Sequence, residues 1–345
     1  MRADRVFAYG ATAGLIGDRI LGDPRRGHPV AAFGRTAAAV ERALWRDDRA
    51  RGALHTLVCA GGAAAVGVLG ARAVRSRPAV ARIALTAAAT WAVVGGTSLG
   101  REARAIGGAL AAGDAETARA RLPHLCGRDP QALDEQQMAR AVVESVAENT
   151  SDAVVGALVW GAVAGVPGLL AFRAVNTLDA MVGHKSPRHL RYGWASARLD
   201  DVAGWPGARL TALAAVLAGP DRRGAVRAWR ADAAAHPSPN AGPVESSFAG
   251  ALGVRLGGTL AYGGRVEHRA VLNGGAGRAV EVADIERAVR LSRQVTWVAL
   301  GACVAARTLV ARMSRTGPTQ RTSGLHQSGR TSRTGSTSRT RKGRA

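Results

Sequence analysis

The 345-residue chain has few aromatics, 4% of its residues, and only three cysteines. Cys59, Cys126 and Cys303 are far apart and form no CxxC spacing, which excludes both a disulfide framework and a cysteine-based zinc site. No zinc-finger spacing, RNP-type aromatic motif or basic heptad is present, so the formal charge of +22 does not point to nucleic acid. No Walker A string offers a nucleotide site. A cleavable signal peptide is also missing: the first apolar stretch, Val6 to Leu21, carries Asp18 and Arg19 and has no small-residue cleavage site after its core. What the chain does have is apolar bulk, 47% of its residues, supplied mainly by Ala, Val and Leu, together with 44 glycines. That composition belongs to membrane helices. Eight of the basic residues fall in an acid-free stretch, Met313 to Ala345, and the rest of the chain keeps +14.

These features predict an all-α, polytopic membrane protein with broken or re-entrant helices. A single catalytic domain over residues 1–312 would be followed by a disordered basic Ser/Thr/Arg/Gly-rich tail over 313–345. Gly52 to Ala71 and Val80 to Leu99 each approach the roughly 20 residues a span needs and are expected to form a hairpin. Gln294 to Ala311 is the last expected span. The basic flanks Asp23 to Arg51 and Arg101 to Asp152 outweigh the three arginines between Arg72 and Pro78, which puts the flanks in the cytoplasm. Ala153 to Val175 has the length of one span, but Gly165-Val166-Pro167-Gly168 breaks it. Two arms of about 11 residues, near 16 Å each, would return NTSD (Asn149 to Asp152) and its echo NTLD (Asn176 to Asp179) to one side.

The region around these strings carries the chemistry. A helix starting near Asp134, with Asp129 or Asp134 as cap, places Arg140, Glu144, Glu148 and Asp152 at i, i+4 spacing, with Ser145 and Asn149 alongside. Stacked acids repel by about 0.2 to 0.5 kcal/mol per pair and call for a cation. The plain alternative is a solvated face with Arg140 paired to Glu144. Upstream, GDPRRGHPVAAFGR presents Asp23, His28 and Arg35 in a turn-rich stretch whose plain reading is a tight loop. Downstream, Arg198 in ARLDD can pair with Asp201 or hold an anion, and Pro206 and Arg209 make Val202 to Ala218 an interfacial or shielded segment. HPSPNAG offers His236, Ser238, Asn240 and backbone N–H groups that could cradle a phosphate.

GDPRRGHPV, VVESVAENTSD, AVNTLDAMVGHK, GWASARLDDV, HPSPNAG with the following FAGALGVRLGG, and Tyr262-Gly263-Gly264 occur in the order found in adenosylcobinamide-phosphate synthases. The chain thus resembles the CobD/CbiB family of cobalamin biosynthesis from about Gly14 to Leu291. It departs from the family pattern at His184, before Lys185, and at Pro243-Val244, where the family commonly has aromatics. The resemblance implies a multi-pass inner-membrane enzyme with its site facing the cytoplasm. Its reaction is an amide ligation joining a carboxylate of adenosylcobyric acid to an aminopropanol or its phosphate. ATP as co-substrate, Mg²⁺, the corrinoid, the amino alcohol phosphate and the bilayer are the implied partners, with room for contact with other cobalamin-assembly enzymes. The competing readings are a membrane transport component and a noncatalytic membrane sensor.

Such chemistry needs acids for a hard cation, a proton acceptor for the amine, and cations for phosphate. Glu144, Glu148, Asp152, His28 and His236 are the candidate catalytic groups. Asp179, Asp200 and Asp201 are the candidate metal ligands. Asp23, Asn149, Ser151, Asn176, Lys185, Arg198, Ser238 and Asn240 are the candidate substrate contacts, with Lys185 and Arg198 first for phosphate.

Overall fold

The computed structural model describes residues 1–24, 27–262 and 265–316; Arg25, Arg26, Gly263, Gly264 and residues 317–345 of the expected tail lie outside them, whereas residues 313–316, expected in the tail, continue the last helix. Thirteen helices are described: α1 (Ala3–Leu21), α2 (Pro29–Leu44), α3 (Arg49–Ala73), α4 (Ala79–Val93), α5 (Gly96–Ala111), α6 (Ala115–Arg121), α7 (Glu135–Asn149), α8 (Gly156–Ala164), α9 (Val166–Leu178), α10 (Trp194–Ala218), α11 (Arg222–Asp232), α12 (Ala241–Leu252) and α13 (Ala283–Thr316). The all-α expectation needs one correction. Leu256–Tyr262 (β1) and Arg265–Leu272 (β2) pair as an antiparallel ribbon with a register shift between Gly257 and Thr259. Positive φ at Gly257 and Gly258 marks that irregularity, a conformation glycine adopts without strain.

Three helical stretches are long and apolar enough to cross a membrane: Arg49–Ala73, Ala79–Ala111 and Ala283–Ser314. The second is interrupted at Val94–Gly95, where α4 gives way to α5. The expected hairpin partners are not each other's main contacts, since α4 packs chiefly on α1 and α3 on α9. The reason is small residues. A Cβ at Gly10 or Gly14 of α1 would lie 2.5 Å from Thr86 or Thr90 of α4, so these parallel helices meet backbone to backbone. Gly67 of α3 likewise touches the start of α9, where a Cβ would lie 2.6 Å from the Pro167 Cα. Outward faces carry exposed apolar side chains such as Leu57, Val66 and Leu69 on α3 and Ile16 and Ile20 on α1.

Ala153 to Val175 is broken where the sequence predicts. Helix α8 ends at Gly165 with φ +67°, and α9 starts one residue later with Pro167 in its first turn. The two arms pack so tightly that a Cβ at Gly168 would lie 2.1 Å from the Trp160 carbonyl oxygen. The turn sits opposite Gly67 of α3, with arms of 9 and 13 residues, α8 and α9, on its two sides.

A second core gathers around α7, which is buried on nearly all sides from Met138 to Ala147, and α12, buried from Gly242 to Leu252. Asp134 and Gln137 close a full capping box at the start of α7, and Asp129 caps only the short turn before it. Both α7 and α9 run into π-helical turns, Thr150–Val155 and Asp179–Gly183, each of which contains one of the NTxD aspartates. A π-turn rotates the residues that follow and is a common device at functional sites. Arg188 to Asp201 and Val202 to Ala218 are not separate elements: from Trp194 onward they form one helix, α10, that contains Pro206.

Candidate active site

The two π-turns, the start of α10 and the loop before α12 enclose a cavity of about 1120 Å³. Its lining brings together Glu148, Asn149, Asp152, Asn176, Asp179, Lys185, Arg198, Asp200, Asp201, His236, Ser238 and Asn240. The NTSD and NTLD strings thus share one chamber. Four candidates do not line it. Glu144, one turn before Glu148, is buried in the protein, where it forms ion pairs with Arg128 and, at 3.9 Å, Arg140, and accepts a hydrogen bond from the Gly257 amide at 2.6 Å. It ties α7 to the preceding loop and to the ribbon: Arg140 does approach it, but the face is buried and not solvated as the plain alternative expected. His28 caps α2, its Nδ1 accepting from the Val30 amide at 3.1 Å and its Nε2 lying 3.3 Å from Asp23. Both side chains are held by that turn. Ser151 is buried on the π-turn and faces away from the chamber.

Within the chamber, nearby cations such as Arg173, which acts on Asp152, offset the crowding of the acids only in part. Burial drives the Asp152 carboxyl well above its ordinary range, and repulsion from Asp200, Glu148 and Asp179 adds to the shift. Burial, reinforced by Asp179, pushes Asp200 up to about 7, and burial also raises Asp179. Asn176 links this group to Arg173, accepting from the guanidinium at 3.4 Å and donating to Asp200 at 3.5 Å. Among the described residues no three Asp, Glu, His or Cys side chains converge closely enough to hold a metal ion by themselves. Mg²⁺ commonly takes one or two carboxylates and fills its sphere with water and substrate phosphate, and the all-oxygen donors Asp152, Asp179 and Asp200 suit that chemistry.

Glu245, which sequence reasoning passed over, completes the other wall. It is 3% exposed on α12 and shares a hydrogen bond with Glu148. Burial raises both carboxyls, with repulsion from Glu144 adding to it at Glu148 and repulsion from Glu148 and Glu144 adding to it at Glu245. Its signal in the sequence is a lone charge inside an apolar run, AGPVESSFAGAL. Arg49, His189 and Arg269 also line the chamber and were not anticipated.

The HPSPNAG loop differs from the expected anion cradle. The Ser238 amide donates to His236 Nδ1 at 3.0 Å, and the Asn240 and Ala241 amides donate to Ser238 Oγ at 3.3 and 3.2 Å. Those amides are spent on the loop itself. Asn240 locks the loop to α10, donating to the Asp201 carbonyl and accepting from Arg209, both at 2.9 Å. Because an amide can only donate, His236 Nδ1 holds a lone pair and the ring proton sits on Nε2, 3.5 Å from Glu245. Burial lowers the basicity of His236, with Arg269 adding to the effect. The imidazole is packed behind Glu245 with its basicity reduced by burial, which leaves the carboxyl pair as the better placed proton acceptor. Lys185 and Arg198 stand at the rim; Arg198 is 3.5 Å from Asp201 with its side chain 77% exposed, which leaves it able to turn to an incoming anion.

Residues 11–292 match the family model described as CobD/Cbib protein. The chain is 53% identical over 309 residues to "Cobalamin biosynthesis protein CobD" of Mycobacterium tuberculosis (strain CDC 1551 / Oshkosh), covering 88% of this chain and 96% of that one. It is 44% identical to the protein of the same name from Chromobacterium violaceum, covering 86% and 95%, and 42% identical to that of Rhizobium meliloti, covering 80% and 89%. No solved structure matches the chain. With the family model spanning the cavity-forming elements from α1 to the middle of α13, and relatives matched over nearly their whole length, the chain belongs to the CobD/CbiB family.

Proposed function

We propose that the protein acts in cobalamin biosynthesis as a membrane-bound amide synthase. It joins a side-chain carboxylate of adenosylcobyric acid to the amine of aminopropanol or its phosphate, with ATP as co-substrate. The observation that carries this reading is the Glu148–Glu245 pair set in a chamber whose opposite wall is acidic and whose rim is basic. An amine arrives as an ammonium and must lose a proton before its nitrogen can bond to the activated carboxyl carbon. Burial has raised the basicity of this carboxyl pair, which suits it to accept that proton. Lys185 and Arg198 supply the charges that hold the phosphate of the amino alcohol. One or two of Asp152, Asp179 and Asp200 would hold Mg²⁺, with water and substrate phosphate as its other ligands, and the ion would supply neutralisation of phosphate oxygens during carboxyl activation. Asn240 and Arg209 keep the loop against α10 so that His236 stays behind Glu245.

The chamber exceeds the roughly 300 to 1000 Å³ typical of small-ligand pockets, in keeping with one substrate being a macrocycle. The apolar stretches Arg49–Ala73, Ala79–Ala111 and Ala283–Ser314 support a membrane setting, and on this reading the membrane is the inner one, with the chamber at its cytoplasmic surface where ATP is available. The test supplies the purified protein with adenosylcobyric acid, 1-amino-2-propanol phosphate and MgATP, and follows the amide by mass spectrometry alongside ADP release. Amide formed in step with ADP supports the reading. No amide from folded protein, or undiminished turnover in Glu148→Gln/Glu245→Gln, would return the chain to the sensor class.

A further inference from the structure

A second cavity, about 280 Å³, lies between α1, α5, the π-turn after α7 and α13, away from the acidic chamber. Its deepest polar group is Asp18, 5% exposed. Asp18 Oδ2 accepts from the Thr97 amide at 3.0 Å and the Thr97 hydroxyl at 2.8 Å, but Oδ1 is buried without a partner. A buried carboxylate oxygen left without a donor is strongly unfavourable, so this one calls for a hydrogen-bonding cation. The other charged groups lining the cavity are Arg19, Arg104 and Arg293. Glu286 engages Arg104 at 2.6 Å, which leaves Arg19 and Arg293 to face an anion.

The height of this cavity is also informative. Arg307 of α13 stacks on Phe7 near the start of α1, so the two helices run antiparallel. Ten residues back, about 15 Å, Trp297 stands half-exposed at the cavity beside the last turns of α1. The exposed Ile16 and Ile20 flank Arg19 along α1, and the charged Arg19 and Arg293 lie at the level of the cavity. Tryptophan and arginine at the end of an apolar surface mark the headgroup layer of a bilayer.

We propose that this cavity binds the phosphoester of a small primary amino alcohol, with its ammonium on Asp18 and its phosphate on Arg19 and Arg293. In a membrane the source is the headgroup of an ethanolamine phospholipid; a free amino alcohol phosphate has the same chemistry. The site rests on the membrane placement proposed above and is independent of the ligase reaction. A choline headgroup has no N–H to offer Asp18, and a glycerol headgroup has no cation, so both are discriminated against.

The full chain is reconstituted in nanodiscs containing equal parts phosphatidylethanolamine, phosphatidylcholine and phosphatidylglycerol, and the lipids it retains on release are counted by native mass spectrometry. Retention of the ethanolamine lipid about tenfold above choline is expected, the effect of one charge-assisted hydrogen bond. Asp18→Asn should erase that preference, and Arg293→Gln should weaken retention of all three lipids while leaving their order intact. Equal retention of ethanolamine and choline lipids by the inserted wild type, or an unchanged preference in Asp18→Asn, overturns the proposal. Millimolar phosphoethanolamine separates the sources: displacement of the lipid assigns the cavity to the free ester, and persistence assigns it to the membrane. Failure to enter nanodiscs refutes the membrane placement alone. Calorimetry with phosphoethanolamine on detergent-solubilised protein then decides whether the site exists, and no heat from wild type overturns it.

Discussion

Glu144 and Glu148 stand one helical turn apart on α7 and have opposite surroundings. Glu144 is enclosed by a guanidinium, a backbone amide and a second arginine, all from the chain itself. Glu148 faces Glu245, and beyond them Asp152, Asp179 and Asp200 face one another. A buried acid whose partners all come from the protein maintains the fold, because removing it strands a buried cation. Buried acids crowded against one another, with cations that offset their repulsion only in part, leave a need that a substrate or ion can meet. Position on the helix is the same for both, and the partners decide the role.

That contrast can be broken most sharply at the chamber. Glu148→Gln and Asp152→Asn should each lower amide formation by about 10² to 10⁴-fold, the range for loss of a proton acceptor or charge at a reacting centre. Thermal unfolding should stay at or above that of the wild type, because each change relieves repulsion; a fall in stability that accounts for the lost turnover would undo the comparison. Glu144→Gln should do the reverse. It removes the carboxylate from Arg128 and should cost about 3 to 5 kcal/mol of stability, with turnover per folded molecule nearly unchanged. Denaturant titration of solubilised protein reads the first effect and active-fraction assays the second.

The placement of both NTxD strings at one surface is tested by labelling in a background without Cys59, Cys126 and Cys303. Cysteines at Ala180 and Leu190, both exposed at the chamber, should react with an impermeant thiol reagent from the cytoplasmic side, and one at Arg75 from the opposite side. Reaction of all three from one side would contradict the placement. The smallest effect concerns pH. Asp200 titrates at about 7 in the folded protein against 3.8 ordinarily, so the folded state holds more protons than the unfolded state between those values. Stability contributed by this group is complete below about pH 4 and is lost as pH rises through 7. Asp200→Asn should flatten that part of the stability profile by differential scanning fluorimetry, and Mg²⁺ should offset the loss in wild type alone.

Most of the architecture was legible because its signals are local. The Asp134 cap, the Gly165 to Gly168 break and the apolar lengths of α3 and α13 depend on residues adjacent in sequence. The ribbon was missed because β1, LGGTLAY, has two glycines in place of clear alternation, and its pairing depends on β2, a separate strand. The site was legible as a set of strings but not as roles. Spacing put Glu144 and Glu148 on one stripe, while Arg128, which satisfies the first, and Glu245, which opposes the second, arrive from 16 residues before Glu144 and from α12. HPSPNAG looked like an anion cradle because its side chains were considered apart from the backbone amides they consume. His28 and Asp23 were each credible in a turn, and only the fold shows that they satisfy each other.

The turn at Gly165 also fixes the parity of the chain. On the proposed membrane placement, α1, α3, α4 and α13 cross between the chamber side and the far side, and α8 with α9 together contribute no net crossing. Residues near the two ends of the described chain, Phe7 and Arg307, accordingly lie side by side on the far side. Were Gly165 and Pro167 replaced by residues that let α8 continue straight into α9, an odd crossing would be added and everything after it would invert. Asp179, Asp200 and His236 would emerge opposite Glu148, and half of the chamber would be assembled on the wrong side of the bilayer.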